Sequence, residues 1–138
     1  GIRMSNAKVE LFDVALKGCY SCALYVPSNS TSETTIVATR CEFANSGIGA
    51  EVQGSLSSAT FKNCVFHDNS NTGINALREC AIHLHGDDTA VHSNGSYGIL
   101  AMNSAKLIIH LPSHHNTIYN NGKEDRMTYR ATITNVED

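Results

Sequence analysis

The sequence predicts an all-β solenoid of about five coils with no substantial helix. Three observations carry that expectation. A short pattern, Cys-x-Phe then Asn then Gly-Ile, recurs about every two dozen residues, as in "CEFANSGIGA" and "CVFHDNSNTGINA". The segments around it are short, alternating and β-branched, and Gly, Asn or Ser bounds each of them. No stretch places apolar residues at i, i+3, i+4 and i+7, as a helical repeat requires.

The elements follow in chain order. Residues 1–6 are expected to be disordered or tag-derived, and residues 7–138 to form one solenoid domain, whole or cut from a longer one. Each copy is anchored on one apolar residue: Val14, Phe43, Phe66, Val91 and Ile118. Two positions earlier stand Phe12, Cys41, Cys64, Thr89 and Asn116. The first copy is degenerate, with Cys22-Ala23 where later copies carry Gly47-Ile48, Gly73-Ile74 and Gly98-Ile99. The strands "TTIVATRCEF", "SSATFKNCVF", "AKLIIHL" and "TYRATITNV" complete the series.

Strands of successive coils pair at about 4.8 Å, so equivalent residues stack. Inward ladders are expected for Cys41 on Cys64, Phe43 on Phe66, and Ile48 on Ile74 on Ile99. Asn69, Asn94 and Asn121 are expected to form a ladder at a turn. Asparagine tolerates the left-handed conformation there, and its amide can bond to the next coil. The glycines serve close turns before the next strand. Neither end shows an amphipathic capping helix, so end-to-end or homo-oligomeric contacts, or continuation of the solenoid, are expected to cover the open ends.

Composition narrows the classes. The 138 residues suit one domain, and a net charge of −3 without a basic stripe argues against nucleic acid. No apolar run approaches the roughly 20 residues of a membrane helix. The five cysteines match no disulfide framework, and Cys19-x-x-Cys22 lacks the second pair of a zinc site. They read as buried reduced thiols, which favours an intracellular setting. No cofactor is called for.

"CVFHDNSNTGI" and "TAVHSNGSYGI" resemble the repeat of the right-handed, single-stranded parallel β-helix of the pectate-lyase-like superfamily. The resemblance spans Ala7 to Asn121. It implies the fold and leaves function open, because that superfamily holds polysaccharide lyases, hydrolases and non-catalytic interaction domains. Gly86-Asp87-Asp88 is similar to one element of the polygalacturonase-type hydrolases, and Ser113-His114-His115 echoes another without its glycines. The remaining elements are missing: Lys62-Asn63 stands where Asn-Thr-Asp would, and there is no Arg-x-Lys. If the chain is a glycosidase, the resemblance implies Asp87 or Asp88 as acid or base, with His114 assisting. An Asp-rich surface turn is the alternative.

The remaining candidates face outward. Ile82 and Leu84 pointing inward put His83 and His85 outside, with His110 stacked on His83, and with Asp87 and Asp88 aligned with His114 and His115. Imidazole and carboxylate together could bind zinc or do acid–base work. The expectation is a hydrogen-bonded ladder without a metal, since no HExxH-like spacing supports a dedicated site. His67, His92 and Tyr119 form a second outward ladder, suited to a glycan or a protein contact. The function expected is a non-catalytic interaction or ligand-binding module. The alternative is a carbohydrate-active enzyme, a hydrolase or lyase, or its inactive relative.

Overall fold

The computed structural model describes residues 1–110 and 117–137. The chain winds through three parallel sheets, and each coil contributes one strand to each. The first strands are β1 (Ile2–Arg3), β2 (Lys8–Phe12), β3 (Ala15–Lys17), β4 (Cys22–Val26), β5 (Thr34–Thr39) and β6 (Glu42–Ala44). The middle coils hold β7 (Ile48–Gln53), β8 (Ser57–Lys62), β9 (Val65–His67), β10 (Ile74–Leu77), β11 (Ala81–His85) and β12 (Ala90–His92). The last strands are β13 (Tyr97–Met102), β14 (Lys106–His110), β15 (Ile118–Tyr119), β16 (Glu124–Tyr129) and β17 (Thr132–Val136).

Sheet A runs β1-β4-β7-β10-β13-β16, sheet B runs β2-β5-β8-β11-β14-β17, and sheet C runs β3-β6-β9-β12-β15. The repeat predicts a domain that begins at residue 7; in the structure Ile2 and Arg3 already pair with Leu24 and Tyr25 of sheet A.

The corners are built from residues with left-handed backbone. Asp13, Arg40, Asn63 and Gly86 turn the chain from sheet B into sheet C; Asn45, Asp68, Ser93 and Asn120 turn it out of sheet C. Short polar side chains suit this conformation because they hydrogen-bond locally, whereas a β-branched residue would clash. The ladder asparagines were expected in that conformation themselves. It falls instead on the residue before each of them.

The interior is an apolar column. Phe43 and Phe66 stack with ring centroids 4.8 Å apart, and Phe61 sits edge-on to both, at 5.6 and 4.9 Å. All three are fully buried. Phe66 lies in register with Phe43 and Val91, and Ile74 with Ile99, as the repeat predicts. Cys41 and Cys64 are buried thiols that pack into this column. Burial pushes the Cys64 thiol up to about 12 and Cys80 up to about 11, so both stay protonated as apolar side chains.

Two register assignments need correction. Leu16, not Val14, pairs with Phe43. Ala50, not Ile48, pairs with Ile74, and Ile48 pairs with Cys22. Gly49, Gly73 and Gly98 therefore form the glycine ladder. Its cause is close approach rather than a special backbone angle: a Cβ on Gly73 would lie 2.7 Å from the Asn94 amide and from the Val91 side chain.

The asparagine ladder lies beside these glycines. Asn69 Nδ2 donates to Asn94 Oδ1 at 2.9 Å and to the Phe43 carbonyl; Asn94 Nδ2 donates to Asn121 Oδ1 at 2.9 Å and to the Phe66 carbonyl. Ser46 holds the equivalent place above, its backbone N–H donating to Asn69 Oδ1. Asp125 ends the chain of bonds below, accepting from Asn121.

The last coil changes character. Arg126 pairs with inward-facing Ile99, Thr128 with Ala101, and Asn135 with Ile109. Arg126 Nη1 donates to Asn135 Oδ1 at 2.9 Å. A charged and a neutral polar side chain thus take places that apolar residues hold in the coil before.

Candidate functional site

Three separate surfaces carry the candidate residues. The first is the outer face of sheet B. Alternation sends every second side chain outward, so successive coils build vertical columns. One column reads Glu10, Val37, Thr60, His83, Ile108, Thr134; the next reads Phe12, Thr39, Lys62, His85, His110, Val136.

His110 was expected to stack on His83. The register places Ile109 beside Leu84, so His110 lies next to His85, one column over. From His110 to Ile118 the chain runs two residues further than from His85 to Val91, the positions in register with them, and a match of "HLHGDDTAVHSN" to "HLPSHHNTIYNN" hides that difference. His83 and His110 still meet, diagonally: His83 Nδ1 and His110 Nε2 are 2.8 Å apart. The His85 and His110 rings stack with centroids 3.9 Å apart and planes 12° from parallel. Burial, then the neighbouring His110, holds the His83 pKa below its ordinary value. All three rings are half-buried, and one ligand nitrogen from each lies within 4.8 Å of the others.

Asp87 and Asp88 are exposed on the turn after β11. The Asp88 backbone N–H donates to Asn63 Oδ1 at 3.1 Å in the coil above, which is what an Asp-rich surface turn would do. His114 and His115, and with them their expected alignment with Asp87 and Asp88, lie outside the described residues.

The second surface is the outer stripe of sheet C. His67, His92 and Tyr119 stand in register, as expected. Their rings are stacked, with centroids 5.2 and 5.0 Å apart and planes 11° and 7° from parallel. The rings stand in one row, and the stripe offers a ligand their outer edges and the exposed Tyr119 ring. At its upper end His67 is pinned between two carboxylates. Its Nε2 lies 2.5 Å from Glu42, which also pairs with Lys17 at 2.9 Å, and its Nδ1 lies 2.5 Å from Asp68. Burial works to lower the His67 pKa, but the bonds to Asp68 and Glu42 outweigh it and raise it. Bonds from His67 and Lys17 hold the Glu42 carboxyl below its ordinary value.

The third surface was missed in the sequence. Where sheet C turns into sheet A, the corners of three coils enclose an open groove of about 370 Å³. Tyr20 and Ser21, Gly47 and Ile48, and Ser70 and Asn71 line it. The coils are held in step by backbone bonds from Ile48 to the Ser21 carbonyl and from Asn71 to the Gly47 carbonyl. Tyr20 is fully exposed. The available signal was an aromatic residue at a corner where later coils have small or polar residues. Cys19 and Cys22 flank Tyr20 and Ser21; both are free thiols and half-buried.

No curated protein and no solved structure matches the chain. The family described as the right handed beta helix region matches residues 1–135, the span that winds into the parallel coils described above. The chain belongs to the right-handed β-helix family.

Proposed function

We propose that this chain is a non-catalytic β-helix binding module, and that its ligand is a glycan or a similarly polyhydroxylated chain lying in the corner groove. One observation carries the reading. The exposed Tyr20 ring stands beside the hydroxyls of Ser21 and Ser70 and the amide of Asn71, in a groove large enough for a small ligand. A saccharide presents apolar C–H faces and many hydroxyls, and such a lining complements both. Among the described residues, the groove's lining supplies no carboxyl or imidazole, whereas inverting glycoside hydrolysis needs two carboxyl groups about 6.5–9.5 Å apart. That lining favours binding over turnover.

The test is a glycan array followed by titration of any hit against the parent protein and Tyr20→Ala. The reading expects a saturable hit that weakens at least about tenfold in Tyr20→Ala, the loss of roughly 1.4 kcal/mol. Binding indifferent to Tyr20→Ala, or no hit at all, would sink it. A reducing-sugar assay separates the hydrolase reading: glycan turnover lost in Asp87→Asn would replace a binding module with an enzyme built on Asp87 and Asp88.

A further inference from the structure

We propose that His83, His85 and His110 form a three-imidazole site for a divalent transition metal ion, zinc above all, on the outer face of sheet B. The site does not depend on the corner groove, since it lies on a different sheet and shares no residue with it.

The argument starts from the two columns. Elsewhere they carry Thr, Val, Glu, Ile, Phe and Lys. Histidine enters them only at these three neighbouring positions, on the adjacent strands β11 and β14. A pleated sheet is a rigid base for ligands: His83 and His85 project from one strand on the same face, and His110 comes from the next coil.

The chemistry fits. His83 Nδ1 and His110 Nε2 at 2.8 Å share one hydrogen bond, so one ring donates a proton and the other presents a lone pair. On metal binding the donating ring changes tautomer, its proton moving by way of solvent to its other ring nitrogen, so that both facing nitrogens present lone pairs to the ion. Tetrahedral zinc with bonds of about 2.0–2.1 Å holds its ligand nitrogens about 3.3 Å apart. The three nitrogens, all within 4.8 Å of one another, bracket that spacing, and side-chain rotation closes the rest. Three imidazoles suit zinc, copper(II), nickel(II) or cobalt(II) and disfavour calcium and magnesium, which take oxygen ligands. Lys62 precedes His85 in its column, but it is exposed and its amine can extend into water. Asp87 and Asp88, also exposed, follow His85 on the next turn and supply compensating negative charge. Because β11 and β14 belong to successive coils, a bound ion would clasp one coil to the next.

The experiment is calorimetric titration of the tag-free chain with zinc, repeated on His83→Ala, His85→Ala and His110→Ala. His67→Ala and His92→Ala serve as controls from the other histidine stripe. Expected is one zinc per chain, weakened at least about tenfold by each of the first three substitutions and by neither control. Cobalt(II) should give the visible absorption of a four-coordinate site, and zinc should raise the melting temperature of the parent but not of the three variants. Histidine ring nitrogen shifts on the parent protein test the site even if an alanine variant fails to fold: zinc should move all three of these rings. An absence of stoichiometric zinc binding overturns the proposal. So does binding that survives the three substitutions, or shifts confined to other histidines.

Discussion

Replacing Phe66 with alanine tests the architecture at its centre. The ring is fully buried, lies face to face with Phe43 at 4.8 Å and takes the edge of Phe61 at 4.9 Å. Val91 pairs with it from the coil below. Truncation removes the buried ring and leaves a cavity between rigid strands that cannot collapse into it, a loss of about 3–5 kcal/mol. The two aromatic contacts place the value toward the upper end, since each such pair adds about 0.5–1.5 kcal/mol beyond burial. A domain of this size has roughly 5–15 kcal/mol in all, so a third or more of it would go. The position also matters. A solenoid is held together by nearest-neighbour contacts, and Phe66 links the coil of Phe43 to that of Val91. Urea unfolding followed by circular dichroism should show a lower midpoint and a lower apparent slope, as the coils on either side begin to unfold separately. A loss under about 1 kcal/mol with an unchanged slope would show that Phe66 is not a keystone between coils.

Two further outcomes follow from hydrogen bonds. Asn94→Ala removes the acceptor for both the backbone N–H and the amide of Asn69 and the donor to the Phe66 carbonyl, and should cost about 2–5 kcal/mol in the same assay; a cost below about 1 kcal/mol would mean that water or the backbone replaces the ladder. The His67–Glu42 pair should couple folding to pH. Because the His67 pKa is raised on folding, its stabilisation is full below about 6.5 and is lost as pH rises through the folded value. Because the Glu42 pKa is lowered, its stabilisation is present above about 4.3 and is lost as pH falls through the folded value. Lys17, Asp68 and the stacked His92 are the other titratable neighbours. A double-mutant cycle of His67→Ala with Glu42→Gln should give about 1 kcal/mol of coupling at pH 5.5 and less at pH 8.5; equal or greater coupling at the higher pH would contradict the charged pair.

The solenoid was legible because stacking makes each coil repeat its neighbour. Phe43 over Phe66, Ile74 over Ile99 and the three ladder asparagines all stand where the repeat puts them. The register errors share one physical cause. The repeat predicts Val14 where Leu16 stands, Ile48 where Ala50 stands, and His83 where His85 stands beside His110. Each slip is by two residues. A slip of one would turn the apolar face outward and expose itself at once, but a slip of two keeps every side chain on its proper face. Alternation therefore fixes which way a residue points and leaves its rung undetermined wherever corners differ in length. The histidine cluster was legible as an outward face but not as a set of three, because the third member depended on that rung. The groove at Tyr20 left only one signal, an aromatic residue at a corner, since it is made from three corners and no strand pattern reports on their shape.

Inward and outward positions thus answer to different demands. Inside, each residue must match the one above and below, so the sequence there describes the fold and nothing else. Outside, a column can change residue from coil to coil at little cost, and departures from its ordinary run are where function can enter. The three departures sit on different faces: the imidazole cluster on sheet B, the ring stripe on sheet C and the tyrosine at the corner between sheets C and A. The imidazole cluster and the corner groove share no residue and should respond to substitution independently. Tyr20→Ala should leave zinc titration unchanged, and His110→Ala should leave glycan binding unchanged. If either substitution altered the other site's binding, the two would be linked through the coils, and the solenoid would be a coupled unit rather than a scaffold with separate faces.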